Sequence, residues 1–216
     1  LVAIYNSLNG SNWGQQTNWL SDSPVNSWDG VRTDEDGFVN SLSLYDSNIA
    51  GPFPCQITQF SHLENLSISG NVTGSIPTNI GALTNLESLY IRSDSLTGSI
   101  PDGITSLTNL QSLSIIGTLG GKIPNDIGDL VNLTTLSLSF NGSGPLPDSF
   151  SNLVNLTRLS ISADLNQVFP ESVCSMTGLT YLSLSSCGLT GSIPSGIGGL
   201  SELKSLDLSI SRSEER

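Results

Sequence analysis

Few residues in this chain could do chemistry. The single histidine is His62, the cysteines are Cys55, Cys174 and Cys187, and the densest carboxylates sit in Asp34-Glu35-Asp36-Gly37. A nucleophile–histidine–acid set would have to pass through His62, and no G-x-S-x-G turn accompanies it. No two cysteines stand as C-x-x-C, which removes zinc-ribbon and redox-motif chemistry, and the odd count leaves at least one free thiol. The acidic run lacks calcium-loop spacing, because the first ligand place is Arg32 and no glutamate follows at the distal position. The remaining carboxylates are scattered, and no glycine cluster has phosphate-loop or dinucleotide spacing. The sequence therefore predicts a non-enzyme with no metal and no cofactor, since catalysis needs convergent groups.

Composition narrows the classes further. Seven Lys+Arg stand against 19 Asp+Glu in 216 residues, for a formal charge of -12. That balance and the lack of a basic stripe argue against nucleic acid. No apolar run approaches the roughly 18 residues needed to cross a membrane. Leu1–Ile4 is too short for a signal-peptide core, so the chain reads as a mature or trimmed product. Sequons occur at Asn9, Asn65, Asn71, Asn132, Asn141 and Asn155, scarcely above what this Asn-, Ser- and Thr-rich composition supplies by chance.

The elements that must position any site are repeated. An L-x-[LI] pair begins at Leu42, Leu66, Leu89, Leu113, Leu136, Leu159, Leu182 and Leu206, in steps of 23 or 24 residues. Pro54, Pro77, Pro101, Pro124, Pro147, Pro170 and Pro194 recur at one place, and a glycine precedes each by three residues except at Gln167. The L-x-L portion has strand period, the proline ends the strand, and the I-x-x-L after it has helical or 3₁₀ spacing. Asp102, Asp148 and Glu171 follow the proline, at the positive end of such a turn. No unit closes a core alone, so the units must stack into a solenoid with a parallel sheet. The sixth position holds Ser47, Asn71, Asp94, Thr118, Asn141, Asp164 and Cys187. These side chains are expected to point inward and bridge the backbones of successive coils, which would leave sequon residues Asn71 and Asn141 too buried for glycan.

The ends differ from the middle. Residues 1–41 hold all three tryptophans, Trp13, Trp19 and Trp28, after an apolar helix-like stretch that stops at Asn9-Gly10. Val31–Thr33 and Phe38–Leu42 flank the acidic turn as a hairpin. A first coil exposes an apolar edge, so this segment is read as a cap with its tryptophans buried under that coil. Residues 42–205 make seven repeats, and 206–216 an incomplete eighth with a polar tail (Arg212, Glu214, Glu215, Arg216). The three thiols are expected to stay unpaired, because their positions face different sides of the coil.

Segments such as Leu89–Pro101 (LYIRSDSLTGSIP) and Leu182–Pro194 (LSLSSCGLTGSIP) resemble plant-type leucine-rich repeats, and the likeness covers roughly residues 1–210. That subfamily includes receptor-kinase ectodomains and polygalacturonase-inhibiting proteins. The resemblance implies an α/β right-handed solenoid with a concave parallel sheet and short convex 3₁₀ or α segments. The family's cap usually carries a cysteine pair flanking W-x-G-V; here Asn26 and Thr33 stand around Trp28-Asp29-Gly30-Val31. The resemblance also implies an extracellular or cell-surface recognition module, as a free protein or as one part of a longer receptor, that binds a protein, peptide or glycan on its concave face. A secreted inhibitor of a wall-degrading enzyme is the alternative it offers, although this face carries few charges. The residues themselves motivate a third class: the regular serine columns over units 4–7 would suit a surface binder without a macromolecular partner, such as an ice-binding protein. Down the second, fourth and fifth strand columns most residues are small and polar; Tyr45, Tyr90, Arg92, Ile116 and Phe140 stand out as the candidate ligand-binding residues.

Overall fold

The computed structural model describes residues 1–209, apart from the side chain of Ser47; the polar tail lies outside the described residues. Period-two apolar residues form strands here because one face of each can be buried against the preceding and following coils. The strands are β1 (Val31–Thr33), β2 (Val39–Pro52), β3 (Asn65–Thr73), β4 (Ser88–Ser93), β5 (Ser112–Gly117), β6 (Thr135–Ser143), β7 (Arg158–Asp164), β8 (Tyr181–Ser183) and β9 (Ser205–Asp207). They lie in chain order in one sheet, antiparallel only between β1 and β2. Register follows the repeat: Leu66 pairs with Leu89, Leu89 with Leu113, and Leu113 with Leu136. Leu42, Leu66, Leu89, Leu113, Leu136 and Leu159 are all at most 1% exposed, a continuous apolar row from coil to coil.

On the convex side a proline opens each short turn. Ile57, Ile80, Ile104, Ile127, Phe150, Val173 and Ile197 each donate an N–H to the carbonyl of the proline three residues earlier, at 3.0–3.1 Å. The segments are 3₁₀, such as Thr78–Ala82 and Asp102–Ser106. With three residues per turn, Ile80 and Leu83 eclipse on one side and both enter the core; an α-turn would rotate the second away. The result is a right-handed leucine-rich-repeat solenoid, its parallel sheet concave and its 3₁₀ segments convex.

The sixth column does not build the expected inward ladder. Of its described side chains, Asn71, Asp94, Thr118, Asn141 and Asp164 are exposed, and Cys187 alone is buried. In the shorter coils the chain turns one residue early, so the fifth position takes the inward place: Phe140 and Ala163 are buried, and Gly70 and Gly117 stand at the same point. Ser93 in β4 is also buried and donates from Oγ to the Val72 carbonyl at 2.8 Å. Gly117 is required there, since a Cβ would stand 2.2 Å from the Ser93 carbonyl oxygen. The asparagine ladder exists one edge over. Asn85, Asn109, Asn132 and Asn155 each donate from Nδ2 to a carbonyl of the preceding coil (Ser61, Thr84, Thr108 and Val131) at 2.8–2.9 Å. Asn71 and Asn141 are therefore open sequons, contrary to expectation, whereas the amides of Asn132 and Asn155 are engaged in this ladder.

At the N-terminal end, α1 (Val2–Ser7) and β1 cover the first coil. Trp13, Trp19 and Trp28 are all buried, with ring centroids 5.1–5.2 Å apart in sequence. Each indole N–H donates to a carbonyl: Leu8 at 2.8 Å, Asp29 at 2.8 Å and Ser23 at 3.1 Å. An aromatic cluster with its polar edges satisfied is a suitable lid for an apolar coil end. All three cysteines are unpaired: Cys55 exposed, Cys174 half-buried and Cys187 buried with its Sγ 3.1 Å from the Ile161 carbonyl.

Candidate functional site

Tyr45 leaves β2 at the fourth strand position and Tyr90 leaves β4 at the second, so they lie on the concave face two strands apart. Small side chains between them let the rings meet. Ser67 in β3 is buried beneath the pair and donates from Oγ to the Tyr45 hydroxyl. The ring centroids are 6.0 Å apart at 44°. Tyr45 is nonetheless 56% exposed, a large open aromatic surface. Arg92 is exposed in β4, with no ion pair among the described residues, and Ile116 pairs with it across to β5, half-buried. A depression of about 310 Å³ runs beside Arg92, lined also by Ser69, Asn71 and Asp94 among others.

Phe140 does not join this group. It is 6% exposed, because Gly142 stands where other units carry an inward leucine, isoleucine or valine, and the ring fills the vacated space. A Cβ on Gly142 would lie 2.1 Å from the Phe140 ring. Phe140 is core, and the patch reduces to Tyr45, Tyr90, Arg92 and Ile116.

A second hollow, of about 210 Å³, opens where the N-terminal segment meets the first coil. Trp13, Gln15, Asp29, Ser43, Tyr45 and Asp46 are on its walls. Asp46 ties the two parts together: Oδ1 accepts from Asn48 N–H at 2.8 Å, and Oδ2 from Gly14 N–H at 2.5 Å and Gln15 N–H at 3.3 Å. The Asn48 N–H first, then those of Gly14 and Gln15, hold this carboxyl below the usual carboxylate range. The Asp29 carboxylate has no hydrogen-bond or ion-pair partner among the described residues. Nothing periodic marks this hollow in the sequence; its only signal is Asp29 and Asp46 at the junction of cap and repeat.

His62 lies elsewhere. Its Nδ1 is 3.1 Å from Asp34 Oδ2, and its ring stacks on Phe38 with centroids 4.1 Å apart, so it pins the β1–β2 turn to the next unit. Among the described residues no group of three or more His, Cys, Asp or Glu could hold a metal, and no helix is long and apolar enough to cross a membrane.

The Leucine Rich Repeat family model matches residues 85–107, 132–153 and 178–200. An inactive leucine-rich repeat receptor-like serine/threonine-protein kinase of Arabidopsis thaliana is 34% identical over 97 residues, 44% of this chain and 14% of the relative. The ectodomain of the Arabidopsis receptor kinase HAESA, solved with the peptide hormone IDA and a co-receptor, superposes with a TM-score of 0.81. It is 31% identical over 88% of this chain and 33% of its own. The chain is built of leucine-rich repeats similar to those of plant receptor proteins. A plant ice-binding protein has a TM-score of 0.68 at 25% identity, over 96% of this leucine-rich-repeat chain and 68% of its own. The chain thus spans a third of the receptor ectodomain and about a seventh of the curated relative.

Proposed function

We propose that the protein is a non-enzymatic, extracellular recognition module that binds a peptide or protein segment along its concave face, over the first four coils. The observation that carries this reading is the Tyr45–Tyr90 pair beside Arg92 on an otherwise serine-covered sheet. Aromatic and arginine side chains supply most anchor energy at interfaces, while short hydroxyls around them give complementarity. The structural likeness to HAESA, solved with a peptide hormone, supports a peptide as ligand. Residues 1–41 act as the cap that seals the first coil, and residues 42–205 as the seven repeats that carry the face.

The test is an alanine scan against the partner captured from an extracellular extract. Tyr45→Ala, Tyr90→Ala and Arg92→Ala are each expected to weaken binding by about 1–3 kcal/mol, the usual anchor range. Ser160→Ala and Ser162→Ala should change it by less than about 0.5 kcal/mol, as non-anchor contacts do. Phe140→Ala should destabilise the fold by about 3–5 kcal/mol through a core cavity instead. If the serines cost more than the tyrosines, the patch is misplaced.

That outcome would favour a second reading, an ice-binding surface. Ser114, Ser137, Ser160 and Ser183 stand in register across four strands, and the plant ice-binding protein covers nearly all of this chain. Thermal hysteresis, lost on Ser137→Leu and Ser160→Leu, would establish it; its absence leaves the peptide reading alone.

A further inference from the structure

We propose that the hollow at the junction of cap and first coil is a subsite for an organic cation, an ammonium or guanidinium group of the ligand. The inference rests on the peptide reading above and specifies what one end of that peptide must carry. Its walls combine an exposed aromatic ring, Tyr45, with two carboxylates, Asp29 and Asp46. No Lys or Arg lines it; Arg32 lines the adjoining depression and forms no ion pair among the described residues. Asp46 is anchored by three backbone N–H groups, so its charge is fixed in place without being neutralised. Asp29 contributes a carboxylate that has no partner among the described residues.

The shape and the acceptor supply favour a cation over a sugar. A volume of about 210 Å³ is several times the roughly 30 Å³ share of one water, enough for the head of a basic side chain or a peptide amino terminus. Trp13 is 4% exposed and offers no open face for a ring to stack on. Asp46 already accepts three bonds, so much of its hydrogen-bonding capacity is spent while its charge remains. What is left is two negative charges and the exposed ring of Tyr45, the kind of group that attracts a cation. The chain's -12 charge draws the same kind of ligand from a distance.

The experiment titrates the whole chain with four probes and follows the backbone amide signals of Gly14, Asp29 and Gly30. N-acetyl-lysine amide carries only a side-chain ammonium, glycinamide only a terminal one, N-acetyl-norleucine amide none, and methyl glucoside tests the sugar. At least one of the two ammonium probes is expected to saturate the shifts, the tighter one naming the source, while norleucine and glucoside stay silent. Asp29→Asn should weaken that binding by about fivefold, the size of one lost charge contact near a surface. It should leave the melting temperature alone, because its carboxylate has no partner among the described residues to lose. Tyr45→Ala, a change at an exposed position, should also weaken it. Saturation by the glucoside with both ammonium probes silent, shifts that never saturate, or an Asp29→Asn chain that binds as before would each overturn the assignment. Arg92→Ala, a change at a residue that does not line the hollow, should leave probe binding untouched while it reduces capture of the partner, so the subsite and the concave-face reading can fail separately.

Discussion

Asp46 shows how much one side chain can hold. It stands at the fifth position of the first coil, where later units carry Gly70, Ser93 and Gly117, and it reaches back to the backbone of Gly14 and Gln15. Its carboxyl, depressed first by the Asn48 N–H and then by those two, titrates lower in the folded chain than in the unfolded one. A group shifted in that direction stabilises the fold above the unfolded value of about 4, and the contribution fades as pH falls through the folded value. Acid should therefore loosen the link between cap and first coil. All three tryptophans sit in that cap, so intrinsic fluorescence reads it selectively. The expected outcome is a shift of the emission below about pH 4 that Asp46→Asn weakens or removes. An emission as acid-sensitive in Asp46→Asn as in the native chain would mean that other carboxylates govern the cap.

At the scale of the element, each coil is held to the last by a few repeated contacts whose loss should be felt locally. Asn109→Ala removes the bond to the Thr84 carbonyl and is expected to cost about 0.5–1.5 kcal/mol in a denaturant melt, the usual net worth of such a bond. Gly117→Ala should cost more, about 1–3 kcal/mol, because its methyl meets the Ser93 backbone, whereas Gly198→Ala meets nothing and should be close to neutral. Strands, proline-led turns and their stacking were legible in the sequence because leucine and proline each do one physical job at one place. The sixth-column ladder was not, since asparagine is stable facing either way and the one-residue shortening after it decides which position turns inward. The true ladder had a plain signal, asparagine before leucine at Asn85, Asn109, Asn132 and Asn155. Phe140 had one too, the glycine at 142 where a leucine belongs. Tyr45, Tyr90 and Arg92 were readable from column register alone, but the Asp29–Asp46 hollow depends on an aperiodic loop meeting the first coil, which no column reveals.

As a whole molecule the solenoid is nearly one-dimensional, each coil touching only its neighbours, so stability should vary along its length. The two ends of the described chain are covered differently. At the first coil the buried tryptophans and β1 close over Leu42 and Leu44, whereas toward β9 the apolar side chains open: Ile193 is 55% exposed and Leu206 43%. Fewer buried contacts mean a lower free energy of local opening, and in a stacked array the opening propagates inward from the weaker end. Hydrogen exchange on this chain should then show a gradient, with amides of β9 and β8 exchanging fastest, those of β3 to β6 slowest, and β2 close to the slow group. The concave patch lies at the protected end, on β2, β4 and β5, where a rigid backbone keeps Tyr45, Tyr90 and Arg92 in fixed relation and lowers the entropy lost on binding. A uniform exchange rate from β2 to β9 would show that the coils open as one cooperative unit, with no stiffer half for the concave patch to sit on.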